Sequence, residues 1–157
     1  MKIRLLVTGK TEEDYLRRGI MEYETRIKRY LPFEISELPT PRNIARLPVP
    51  EQKQREAETI MKQVQPGDTL VLLDEYGKEM TSAGFARFLN QRFLSGNKTM
   101  LFVVGGPFGF DESVRKSAHH IISLSKMTFS HQMVRLFFTE QLYRALTILR
   151  GESYHHD

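Results

Sequence analysis

Three short stretches, "KIRLLVTG" (2–9), "DTLVLLD" (68–74) and "TMLFVVGG" (99–106), are nearly unbroken runs of apolar residues. A strand with one wet face alternates polar and apolar side chains, so a continuous run must be covered on both faces. Such strands lie in the middle of parallel sheets, and parallel neighbours need long crossover connections, usually helices. The chain is thereby confined to an α/β architecture, a mostly parallel sheet flanked by helices.

The intervening segments fit that plan. Thr11 is placed to cap a helix running to about Tyr30, which Pro32 helps to end. "FEISELP" reads as a second strand. "PTPRNIARLPVP" holds four prolines in twelve residues and is expected to be a long exposed loop rather than a regular element. A polar helix is expected from about Glu51 to Gln65, stopped by Pro66-Gly67. Thr81 or Ser82 opens a helix through "AGFARFLNQRFL", and a short helix spans Glu112 to Ser117. "HHIISLS" is a fifth strand, and Ser130 can cap a last helix from Met133 to Arg150, ended by Gly151. There is no repeat, low-complexity tract or linker, so residues 1–157 are read as a single domain.

That last helix is apolar at 11 of the 17 positions from Met133 to Leu149. At 100° per residue these positions cover most of its circumference, where a surface helix needs one apolar stripe. A central place in the core or a second subunit can cover the other side. In a chain this small a two-fold dimer is the favoured reading.

Composition removes several classes of function. With no cysteine there is neither a disulfide nor a thiolate metal site, in keeping with a reducing cytoplasm. No apolar run has the length of a membrane span, so no membrane partner is expected. The net charge of +4 permits a nucleic-acid partner without requiring one. The densest basic stretch, Arg17 to Arg29, is interleaved with Glu22 and Glu24, the pattern of a solvated helix face.

The fourth strand runs into "GGPFG". Gly105, Gly106 and Gly109 do not make the G-x-G-x-x-G fingerprint, Pro107 interrupts it, and the turn follows the fourth strand rather than the first. There is no phosphate loop of the G-x-x-x-x-G-K-[ST] kind either. A nicotinamide or nucleoside-triphosphate enzyme is therefore disfavoured. Two other loops after strands, "LLDEYGKEMTS" and "SLSKMTFSHQMVR", share the glycine turn's small, hydroxylic or apolar character. In an open α/β sheet, loops at the carboxyl ends of strands form one ligand cleft.

These same stretches, "LDEYGKEMTS", "FVVGGPFGF", "SLSKMTFSHQMVRLFFTEQLYRA" and the terminal "RGESYHH", resemble in order and spacing the RlmH family over the whole chain. These are small methyltransferases acting on a pseudouridine of large-subunit ribosomal RNA, within the SPOUT superfamily. The resemblance implies a SPOUT-type domain with a C-terminal deep trefoil knot, a homodimer, S-adenosylmethionine as methyl donor, no metal, and 23S rRNA in the assembled ribosome as substrate. Carried over by motif, it implies donor contacts at Leu73, Gly105, Leu124, Ser125, Lys126, Met127, Thr128 and Phe129. Glycine lets the main chain approach the donor, whose adenine can be read by backbone groups.

Catalytic candidates are His131 and Arg135, four apart beside the cofactor loop, and Tyr154 and His155 in the tail. The expected arrangement is a composite site at the dimer interface. Arg135 orients or stabilises RNA there, and the tail closes over the base. A histidine suits proton acceptance near neutral pH, and the residues leave open which one serves. Glu140 and Arg144 are expected to be a structural pair. The proline-rich loop, with Arg42 and Arg46, is one place where RNA phosphate can be met. Three readings compete: a ribosome- or RNA-binding knotted module without catalysis, a SPOUT enzyme for another RNA position, such as a ribose oxygen, and an α/β dimer whose glycine turn is purely structural and which has no affinity for the donor.

Overall fold

The three continuous apolar runs become the three inner strands of a five-stranded sheet. The computed structural model describes residues 1–156. Its strands are β1 (Lys2–Thr8), β2 (Phe33–Leu38), β3 (Asp68–Glu79), β4 (Thr99–Val104) and β5 (His120–Ser123), in the spatial order β2-β1-β4-β3-β5. Every pairing is parallel. Helices α1 (Asp14–Ile27), α3 (Ser82–Leu94) and α5 (Met133–Leu149) share one face with Ile3, Leu5, Val71, Phe102 and Val104. The opposite face packs Leu6, Leu70, Leu72, Leu101 and Val103 against α2 (Val49–Met61) and α4 (Glu112–Ser117).

α5 lies between α1 and α3, which accounts for much of its apolar circumference within one chain. Phe138 meets Phe102 of β4 at 4.8 Å between ring centroids. Fully burying side chains of this size contributes about 2–3 kcal/mol each. Phe137 on α5 and Tyr15 and Met21 on α1 stay exposed.

Several boundaries differ from the sequence reading, each for a local reason. α1 starts at Asp14 after Glu13, not under a Thr11 cap. Thr11 is instead buried, its N–H donating to Glu37 Oε2 (2.5 Å). The proline-rich segment is shorter as a loop than expected. Ile44–Arg46 form a 3₁₀ turn that buries Ile44, and Pro50 sits in the first turn of α2, where a missing N–H costs nothing. α2 ends at Met61, and tightened turns carry the chain on to Gly67, at φ +89°. Thr81 does cap α3, accepting from Gly84 N–H (2.9 Å). Ser130 Oγ accepts from Met133 N–H (3.1 Å) at the head of α5. The basic face of α1 is solvated and paired, Arg26 with Glu22 (2.5 Å) and Lys28 with Glu24 (2.9 Å). Among the described residues no helix is long and apolar enough to cross a membrane.

The largest surprise is in β3. Val71 to Leu73 pair with His120 to Ile122, four residues then leave the ladder, and Lys78 pairs with Ile122 again. Asp74 to Gly77 thus form an excursion whose two ends rejoin the same edge. Gly77 closes it: a Cβ there would lie 2.7 Å from the backbone carbon of Ile122 and 2.8 Å from the carbonyl of Ile121.

Candidate active site

The β3 excursion, the glycine turn after β4 and the loop after β5 converge at the carboxyl edge of the sheet around a cleft of about 700 Å³. That is within the range of small-molecule and cofactor sites. Its lining includes Leu73, Asp74, Glu75, Tyr76, residues 104–110, residues 123–125 and residues 127–131, with Val134 at the head of α5. Of the eight expected donor contacts, seven line it; Lys126 does not, its side chain pointing outward with a long 3.9 Å approach to Glu79.

Each loop is fixed from behind. In the glycine turn, Gly109 N–H donates to Gly106 C=O (3.2 Å), and Gly109 takes φ +79°. A Cβ at Gly105 would press on the Phe110 ring at 3.1 Å. Gly106 sits over Glu56 of α2, to which its N–H donates. Burial raises the Glu56 carboxyl above the usual range, and that hydrogen bond opposes the shift. The excursion is held by Asp74, which accepts from Tyr76 N–H (2.8 Å) and pairs with Arg115 of α4. The loop after β5 is tied to the excursion by Thr128, whose hydroxyl donates to Glu75. Within that loop Ser125 Oγ accepts from Met127 N–H (2.9 Å).

His131 lines the cleft. Burial, and then the nearby Arg135 charge, lower its pKa, with Glu12 acting the other way. It is therefore unprotonated near neutral pH and able to accept a proton.

Arg135 is not in the cleft lining of the single chain. It is 1% exposed. Its guanidinium donates to the carbonyls of Thr8 (2.7 Å), Gly9 (2.9 Å) and His131 (3.0 Å) and to Thr11 Oγ1 (3.0 Å). Beside it, Gln132 accepts from Glu12 N–H (3.0 Å) and donates to Lys10 C=O (3.0 Å). Together they fasten the head of α5 to the loop after β1.

Tyr154 and His155 are not brought to this cleft within one chain. Tyr154 packs edge-on against Tyr143 at 4.7 Å, ten residues along α5 from Met133, about 15 Å of helix. Its hydroxyl donates to Glu140 (3.0 Å) and lies 3.4 Å from that of Tyr23. Burial and these two bonds push its pKa well above the ordinary range. Arg144 makes the expected pair with Glu140 (2.5 Å) and also reaches His155 Nδ1 (3.2 Å). Sequence reasoning missed Lys53 and Arg115, which reach the cleft from α2 and α4. Neither stands in a motif, so only the tertiary fold reveals them.

A parallel α/β sheet with its cleft built from three loops at the carboxyl ends of strands defines a domain that binds a small molecule at the strand ends. The family described as "Predicted SPOUT methyltransferase" matches residues 1–155, and the chain belongs to it. A protein of Parabacteroides distasonis named ribosomal RNA large subunit methyltransferase H is 53% identical over 157 residues, all of both chains. One of the same name from Flavobacterium johnsoniae is 47% identical over 156 residues, 99% of each. Among solved structures, a probable methyltransferase from Bordetella pertussis Tohama I superposes with a TM-score of 0.56 at 12% identity, covering 92% of this chain and 96% of that one. A tRNA (m1G37) methyltransferase from Aquifex aeolicus gives 0.57 at 15% identity, covering all of this chain and 76% of that one. At such identities these two structures speak for the fold.

Proposed function

We propose that this protein is an S-adenosylmethionine-dependent methyltransferase that modifies N3 of a pseudouridine in 23S rRNA of the assembled ribosome. The observation that carries the reading is the single cleft at the ends of β3, β4 and β5, lined by seven of the eight residues the motifs nominate. The name shared by the full-length relatives supports the ribosomal substrate. A cytoplasmic homodimer with a knotted C-terminal half belongs to the same reading.

The residues suit the donor. Leu73, Val104, Phe129 and Val134 offer apolar walls, and the glycine turn leaves peptide groups open to a polar rim. Among the described residues no group of three or more His, Asp or Glu is placed to hold a metal ion. Bound there, the sulfonium supplies an activated methyl group for in-line displacement by a nitrogen. The protein's part is alignment, exclusion of water and proton removal. His131, neutral and facing the cleft, takes the proton released from N3. Arg135 is a positioning residue, holding His131 C=O and the loop after β1 in register.

Because the tail lies along α5 away from its own cleft, Tyr154 and His155 act on the cleft of the second subunit. Exposed Phe137, Tyr15 and Met21 give that subunit an apolar surface to cover. Mixed subunits test the arrangement. A His131→Ala chain and a chain cut after Gly151 are each inactive alone, but a one-to-one mixture regains about a quarter of the wild-type methyl transfer, because half the random pairs hold one intact site. No recovery in demonstrated heterodimers would place the tail in its own subunit's site.

A further inference from the structure

Three large apolar side chains stand in solvent around one opening, one on each of the three cleft loops: Tyr76 at 84% exposure, Met127 at 75% and Phe108 at 51%. Isolated exposed apolar residues are ordinary, but a set ringing the mouth of a cleft is not. Two of them are aromatic and held on rigid supports. Tyr76 rides on the Asp74 turn, which Arg115 locks. Phe108 is at the tip of the turn closed by Gly109 N–H and Gly106 C=O, after Pro107 fixes the entry.

Resting on the function proposed above, we infer that Tyr76 and Phe108 are stacking platforms for unpaired nucleobases of the RNA, flanking the nucleotide that enters the cleft. The chemistry favours this occupant. Sequence-specific contact with RNA targets single-stranded bases splayed out onto aromatic faces. Exposed rings on two different loops of one opening can each take one base while leaving the way in clear, whereas a protein partner seated on them would close the mouth. Cations stand near the opening to meet the phosphates: Lys53 in the lining, and Lys126 on the loop after β5 with its side chain 85% exposed. Stacking also answers a problem of size. A single small domain needs a few strong, sequence-tolerant contacts to hold the target, and an aromatic ring offers a large one on a short side chain.

The test compares wild-type protein with Tyr76→Ala, Phe108→Ala, the double variant, and the conservative pair Tyr76→Phe and Phe108→Tyr. Two quantities are read: methyl transfer to ribosomes lacking the modification, and calorimetric affinity for S-adenosylmethionine. Each alanine raises the ribosome KM by about tenfold, with kcat at saturating ribosomes changed far less, and the double variant by more. The conservative variants behave as wild type, and donor affinity stays within about twofold throughout. Unchanged KM in the double variant overturns the proposal. So does a KM rise accompanied by loss of the dimer in sedimentation, which makes the rim a subunit contact, or a matching loss of donor affinity, which makes it part of the donor site. If wild-type protein itself transfers nothing to ribosomes, the functional reading falls and this proposal with it.

Discussion

Arg135→Ala lowers the stability of the protein by about 3–5 kcal/mol, because several buried acceptors lose their donor at once. The side chain is 1% exposed, and its donors serve three main-chain carbonyls and a threonine hydroxyl. Without it, the carbonyls of Thr8 and Gly9, at the end of β1, lose buried donors. Each orphaned buried acceptor costs about 1–3 kcal/mol, and the emptied guanidinium volume adds a cavity. A domain of this kind has only about 5–15 kcal/mol in hand. Arg135→Lys recovers part of the loss, since an ammonium has three donors but not the planar fork that reaches Thr8, Gly9 and Thr11 together. Equilibrium urea unfolding reads the effect. An alanine variant within about 1 kcal/mol of wild type would remove the clamp from this account.

Gly77→Ala has the second large effect, about 3 kcal/mol of lost stability, and weakens donor binding with it. The missing Cβ would fall 2.7–2.8 Å from the main chain of Ile121 and Ile122. Main chain inside a parallel ladder cannot turn aside, so β3 and β5 must part where the excursion of residues 74–77 closes. That displaces Asp74 and Glu75, which anchor Arg115 and Thr128 at the cleft. Gly106 is the instructive contrast. A Cβ there also meets an atom at 2.5 Å, but it is the carboxylate of Glu56, at the end of a side chain that can swing away. Gly106→Ala is therefore the milder change, although the turn is richer in glycine. Thermal unfolding of the two variants side by side ranks them, and the reverse order would contradict the argument.

Much of this was legible in the sequence because the signals are local. Continuous apolar runs mark the inner strands β1, β3 and β4, and the small, hydroxylic or apolar loops after β3, β4 and β5 line one cleft. What was not legible depends on tertiary placement. His131 and Arg135 stand four apart, yet α5 begins at Met133 and His131 lies in the turn before it. Arg135 then turns inward while His131 faces the cleft. "DEYGKE" read as a plain loop because nothing in its composition reveals that the chain returns to the same strand edge at Lys78. The prolines at 48 and 50 argued for irregular chain, yet Pro50 falls where a helix tolerates it best. The tail's distance from its own cleft has no sequence signature at all; it follows from the length of α5.

The most direct test of the central claim is methyl transfer from labelled S-adenosylmethionine to ribosomes from cells lacking this gene, followed by nucleoside analysis of the large-subunit RNA. The account predicts label on N3 of a pseudouridine with wild-type protein, and none with His131→Ala that still folds and binds the donor. Label on a ribose oxygen or another base, or undiminished transfer by the His131→Ala protein, would contradict it.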